Sequence, residues 1–208
     1  EIVFGDWSSD VCSSDLHIVG KKTKHITNVK TIAFFLQAVK YFITQKDFDE
    51  FINLIIKVAM ENPNINILVR EHPSNQQALS SQSRDSLLAF NNIKFVNFDK
   101  YSIYDVLIKA DLAVSYTSSS LIESIALGVI PIYVNPFNLT IFDRLLNTID
   151  VPMVSNIDTA YVLIRKLISD DNFTKEIHTK MQIKQEYFFA NSKDVAIQNI
   201  IHCVEDSL

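Results

Sequence analysis

The sequence predicts a doubly wound α/β domain with a parallel sheet. Three observations predict it. Short apolar runs of strand length recur along the chain, each separated by a segment of helical periodicity. The runs are continuous rather than alternating, as strands covered on both faces require. Strands joined through helices pair in parallel with right-handed crossovers, which leads to this class.

The elements follow in order. "TIAFFL" (31–36) reads as the first strand. "DFDEFINLIIKVAMEN" (47–62) reads as a helix, with Asp47 and Glu50 at capping-box spacing and Pro63 beyond its end. Phe48, Phe51, Ile52, Ile55, Val58 and Ala59 fall on one stripe of it. "INILVR" (65–70) is a buried strand, "SQSRDSLLAF" (81–90) a short helix and "IKFVN" (93–97) a strand. "SIYDVLIKA" (102–110) is a helix capped by Ser102, with Asp105 at its third position. "DLAVS" (111–115), "SSSLIESIAL" (118–127) and "VIPIYV" (129–134) read as strand, helix, strand. Helices over 158–168, 174–190 and 194–206 close the chain. The expected organisation is a leader over 1–16, a linker over 17–30, the α/β domain over 31–185 and a final helix over 186–208.

The leader is unlike the rest. Residues 7–16, "WSSDVCSSDL", contain the one Trp and one of the two Cys. They resemble the translation of a short-read sequencing-library adapter, and such segments are set aside in fold reasoning. Four of the 24 acids (Glu1, Asp6, Asp10, Asp15) and none of the 19 bases lie in residues 1–16, so the net charge without them is −1 in place of −5. A nucleic-acid platform would be basic, so no nucleic-acid partner is expected. No apolar run approaches the roughly 18 residues that span a bilayer. Cys203 alone remains outside the leader, which excludes a disulfide framework or thiolate metal cage and suits a reducing cytoplasm. His178 and His202 lack partners at metal-ligand spacing, so no metal and no cofactor are expected. Outside the leader only Gly20 and Gly128 are glycines, so neither a Walker loop nor a G-x-G-x-x-G fingerprint exists.

Two clusters can carry chemistry. In "VREHPS" (69–74), His72 and Pro73 follow a strand, where ligands of open α/β sheets bind. Imidazole can donate to a phosphate oxygen and exchange a proton near neutral pH. Pro73 biases His72 away from helical geometry. A loop histidine without a task is the plainer alternative. In "SYTSSSLIESIALGVIPI" (115–132), Thr117 or Ser118 is expected to cap the helix. Unpaired first-turn N–H groups and the hydroxyls of Ser118, Ser119 and Ser120 would then make an anion site without a glycine loop. Glu123, one turn after Ser119, suits the vicinal hydroxyls of a ribose. Gly128 permits a left-handed helix end. Serines are also ordinary caps, and a first-turn glutamate is ordinary dipole compensation.

Together, "NPNINILVREHPS" and "ADLAVSYTSSSLIESIALGVIPI" resemble the donor-binding half of GT-B-fold glycosyltransferases of bacterial capsule and lipooligosaccharide assembly, over about residues 31–206. Sialyltransferases with His-Pro and Ser-Ser/Thr motifs are among them, as are CDP-glycerol phosphotransferases and 3-deoxy-manno-octulosonic acid transferases. The resemblance implies that His72 contacts the donor phosphate and assists leaving-group departure. It implies that Ser118, Ser119 and Ser120 hold phosphate or nucleotide, and that Glu123 takes the ribose. The implied partners are a nucleotide-sugar donor, a glycan acceptor and an N-terminal acceptor half that this chain lacks, in a cytoplasmic enzyme able to sit at the inner face of a membrane. The general base usually lies in that other half, so these residues alone are expected to bind nucleotide weakly and turn over nothing. Two alternatives stay open: a UDP-N-acetylhexosamine 2-epimerase-like enzyme on the same fold, and a non-enzymatic nucleotide-binding or scaffold domain.

Overall fold

The computed structural model describes residues 24–39, 43–73, 79–116, 118–137 and 151–188, with side chains through Ile183. Its elements are β1 (Thr31–Phe35), α1 (Gln45–Glu61), β2 (Asn66–Arg70), α2 (Ser81–Leu88), β3 (Ile93–Val96), α3 (Ile103–Leu107), β4 (Leu112–Ser115), α4 (Ser120–Ala126), β5 (Ile130–Val134), β6 (Met153–Val154), α5 (Ile157–Ser169) and α6 (Asp171–Phe188). The strands form one parallel sheet in the order β3-β2-β1-β4-β5-β6. The doubly wound class is therefore observed. The chain runs outward in one direction from β1 to β3, then returns to lay β4 on the other side of β1. In open α/β sheets such a reversal is where ligands bind, beyond the carboxyl ends of the strands on either side of it, here β1 and β4.

Burial explains the continuous apolar runs. Ile32, Ala33, Phe34 and Phe35 of β1 and all five residues of β5 are buried. Helix α1 adds Leu54 to the expected apolar stripe. Phe51 meets Phe34 edge-on at 5.9 Å and Tyr116 at 4.8 Å, which ties α1 to β1 and to the turn after β4. Helices α1 and α5 pack on each other, and α4 packs against β4, β5 and α6.

The cap of α1 differs from expectation. The helix begins earlier, with Thr44 as the cap and Asp47 as its reciprocal partner, the Thr44 N–H donating to Asp47 Oδ2 at 2.8 Å. Asp47 therefore serves as the third residue of the box and not its first. The Ser102–Asp105 box of α3 is as expected: Asp105 N–H donates to Ser102 Oγ at 3.1 Å and Ser102 N–H to Asp105 Oδ2 at 2.9 Å. The Ser102 hydroxyl and N–H hold the Asp105 carboxyl below its ordinary value.

The amino edge of the sheet is stapled by polar side chains. Asp111, just before β4, accepts from the N–H groups of Lys30 at 2.7 Å and Thr31 at 2.9 Å. It also pairs with Lys24 Nζ at 2.7 Å. Lys24 reaches the Ala110 carbonyl at 2.8 Å as well, and Ile26 and Val29 are buried, so residues 24–30 pack as part of the domain. Asn92 donates to the carbonyls of Ala59, Asn62 and Ile65 at 3.0–3.2 Å. His178 of α6 is fully buried, with Nε2 3.0 Å from the Gly128 carbonyl. Among the described residues no helix is long and apolar enough to cross a membrane.

Candidate functional site

Side chains tie the carboxyl ends of β1 and β4 together. Ser115, fully buried at the end of β4, donates from Oγ to the Phe35 carbonyl at 2.9 Å. Gln37, half-buried two residues past β1, donates from Nε2 to Ser115 Oγ at 3.3 Å. Tyr116 is buried, and its hydroxyl donates to the Asp47 carbonyl at 2.8 Å, in the first turn of α1. Burial, then the nearby Asp47 and Glu50 carboxylates, push the Tyr116 phenol well above its ordinary value. It is therefore a neutral strut and no acid or base at physiological pH.

His72 and Pro73 lie in the loop leaving β2, and Ser118, Ser119 and Ser120 in the turn leaving β4. Because β2 and β4 flank β1 in one parallel sheet, both loops emerge at the same carboxyl rim. His72 is half-buried and Pro73 exposed; Glu123 is half-buried one turn into α4. Thr117 lies outside the described residues.

The turn itself corrects two expectations. Neither Thr117 nor Ser118 is the cap of α4: Ser119 occupies that position, in right-handed helical geometry and with no side-chain cap bond. The first-turn N–H groups are not unpaired either. Leu121 N donates to the Ser118 carbonyl at 3.1 Å, Ile122 N to Ser119 at 2.9 Å and Glu123 N to Ser119 at 3.1 Å. The physical reason is a tight entry: a capping residue in helical geometry lets i→i−3 bonds form from the start, which consumes donors that an extended cap would leave free. The three serines also divide. Ser120 is buried and shares a 2.6 Å hydrogen bond with Ser118 Oγ, whereas Ser119 is exposed. Ser119 thus offers its hydroxyl outward, while Ser118 and Ser120 brace the turn.

The far end of α4 is as expected. Gly128 has φ 73°, with Gly128 N donating to Ile125 O at 3.0 Å and Val129 N to Ser124 O at 2.9 Å. This paired pattern satisfies the last carbonyls through a left-handed glycine.

Two rim residues escaped the sequence reading. Gln37 had no local signal and becomes meaningful only once the β1/β4 reversal is known. Arg70 did carry one: a charged residue ends a strand otherwise built for burial on both faces. Arg70 is 8% exposed and donates from Nη1 to the Tyr101 carbonyl. Burial pushes its guanidinium below the ordinary value, while the Glu123 and Asp105 carboxylates pull it back up. Next to it, Glu71 pairs with Arg84 of α2 at 2.6 Å.

No protein-family profile matches the sequence, and no curated protein does. Solved structures match by shape. The UDP-GlcNAc 2-epimerase of Neisseria meningitidis, bound to UDP-GlcNAc, superposes with a TM-score of 0.61 at 15% identity, over 84% of this chain and 44% of its own. The UDP-GlcNAc 2-epimerase of Methanocaldococcus jannaschii gives 0.56 at 13% identity, over 70% and 41%. A mutant of the Staphylococcus aureus protein TarM, in complex with UDP and alpha-GlcNAc-glycerol among others, gives 0.57 at 13% identity, over 88% and 37%. The fold is the Rossmann-like sheet found in GT-B-type nucleotide-sugar enzymes. The chain spans less than half the length of each of these three. These matches lean toward 2-epimerases more than toward the capsule and sialyltransferase enzymes suggested by the sequence motifs.

Proposed function

We propose that this chain binds a nucleotide sugar at its carboxyl rim, as the nucleotide-holding half of a UDP-N-acetylhexosamine 2-epimerase-like enzyme. The observation that carries the reading is that the β2 and β4 loops, which hold His72 and Ser119, leave the same carboxyl rim beside the reversal in strand order. The shared fold with UDP-GlcNAc 2-epimerases supports it. His72 donates to the diphosphate, the exposed Ser119 hydroxyl adds a second donor, and Glu123 accepts from the ribose hydroxyls. Pro73 keeps the His72 loop extended. Ser118 and Ser120 shape the turn, and the Thr117 hydroxyl is a further candidate donor to the nucleotide. Groups fixed in advance around the phosphates stabilise charge that develops there, whichever bond is broken. The acids and bases of the sugar chemistry come from a second half across a cleft, so this chain alone binds nucleotide and turns over nothing.

The second reading is a glycosyltransferase of capsule or lipopolysaccharide synthesis, favoured by the His-Pro and triple-serine motifs. In it the partners are a nucleotide-sugar donor and a glycan acceptor, and the enzyme works in the cytoplasm, at the inner face of the membrane. Calorimetric titration with UDP, UDP-GlcNAc, CMP and CDP tests the site. Uridine-selective binding that is lost in Ser119→Ala and Glu123→Ala supports a nucleotide site and fits both readings, and cytidine selectivity favours the transferase. Wild-type protein that binds none of the four contradicts both.

A further inference from the structure

The backbone that carries His72 is fastened from both faces of the sheet. The crossovers β1–α1–β2–α2–β3 run in one direction and put α1 and α2 on one face, where they pack on each other. The crossover β3–α3–β4 runs back and puts α3 on the other face, where it packs on α4. Arg70 ends β2, and its Nη1 donates to the Tyr101 carbonyl, in the turn before α3. Glu71 is the next residue, and its Oε2 accepts from Nη2 of Arg84, on α2, at 2.6 Å. Successive side chains of an extended chain leave by opposite faces, and here each finds an anchor on its own side. Pro73 then restricts the His72 backbone from the C-terminal side.

Arg84 is itself held in place. Its guanidinium carbon lies 4.6 Å from the centroid of the Phe95 ring of β3. Glu71 and Arg84 are 13 residues apart, so their bridge closes the base of the segment that joins β2 to α2, directly before the His-Pro pair. The Arg84 and Glu71 side chains are 40% and 23% exposed. An ion pair so placed contributes little to stability. What it supplies is direction: a planar fork stacked on a ring bonds a carboxylate in one geometry, where a lysine would swivel.

We propose that Arg84 is a positioning residue for His72: by holding Glu71 on α2 it fixes the backbone from which the imidazole reaches the phosphate of a nucleotide. Arg84 does not itself touch the nucleotide, and its charge is answered by Glu71. This inference rests on the nucleotide-binding reading above and extends the site to a helix outside both motifs.

The test is calorimetric affinity of the full chain for UDP or CDP, whichever wild type binds more tightly. The variants are Arg84→Gln, Glu71→Ala, His72→Ala and Arg84→Gln/His72→Ala, with urea midpoints as the check on folding. His72→Ala is expected to lose about tenfold, the worth of one hydrogen bond to a charged group. Arg84→Gln and Glu71→Ala are each expected to lose about fivefold, at midpoints close to that of wild type. The double variant should lose no more than His72→Ala alone, because an imidazole that is misaimed has nothing further to lose when removed. Losses that multiply to about fiftyfold mean that Arg84 acts without His72, and they overturn its role. A folded Arg84→Gln or Glu71→Ala with wild-type affinity overturns it too, as does a His72→Ala that binds as wild type. In these three cases the nucleotide still binds, and the rim remains its site. Wild type that binds neither nucleotide overturns that reading, and this inference with it.

Discussion

The two edges of the sheet are built from similar residues, and the proposed function gives them opposite work. At the amino edge, among the described residues, Asp111 is spent on two N–H groups and Lys24, Asn92 on three carbonyls, and His178 Nε2 on the Gly128 carbonyl. At the carboxyl rim Ser119 is exposed, and His72, Glu123 and Gln37 are half-buried, with Gln37 donating to Ser115. On the reading proposed above, one edge closes the fold and the other offers groups to a ligand. Substitutions at the first should therefore cost stability, and those at the second should cost binding.

The largest effect should come from Asp111→Ala. It strands two strand-edge N–H groups and a lysine, so we expect a loss of about 3 kcal/mol, read as a lower urea midpoint. The comparison breaks if the variant is as stable as wild type. Asn92→Ala removes three hydrogen bonds from one amide and should cost about 1–2 kcal/mol by the same measurement. Both variants, where folded, should retain wild-type nucleotide affinity.

The amino edge also predicts a pH dependence. Burial, and to a smaller degree the neighbouring His25, lower the His178 pKa, against the Gly128 carbonyl and Lys24 backbone, which raise it. The unfolded chain thus takes up a proton more readily than the folded one. The stability contribution is complete above about pH 6.5 and is lost as pH falls toward the lower folded value. Urea midpoints measured from pH 7.5 to 5 should fall in wild type and fall less steeply in His178→Gln. Equal slopes would remove His178 from the account. The smallest stability change is expected for Ser119→Ala, within about 0.5 kcal/mol because its hydroxyl makes no cap bond. Its nucleotide affinity should nonetheless drop, and a stability loss as large as that of Asn92→Ala would put Ser119 in the wrong class.

Much of this division was legible in the sequence because it rests on local rules. Continuous apolar runs, the Ser102–Asp105 box and the Gly128 helix end each follow from residues within a few positions of one another. What escaped depends on contacts across the chain. The Thr44 cap was missed because Asp47 satisfies the same spacing rule from inside the helix. The entry of α4 was misjudged because residue type alone does not say whether a serine turn is extended or already helical. Arg70 and Gln37 matter only through a strand order that brings β1, β2 and β4 together. The leader (1–16), Thr117, Cys203 and the helix expected over 194–206 lie outside the described residues.

The central claim is that the carboxyl rim, and not the stapled edge, receives a nucleotide. The most direct measurement is a backbone amide NMR titration of the full chain with UDP-GlcNAc. The account predicts shifts concentrated at Gln37, Arg70, His72, Ser119 and Glu123, with the amides of Lys30, Asn92 and Asp111 unmoved. Shifts centred on that second group, or none anywhere at saturating ligand, would contradict it.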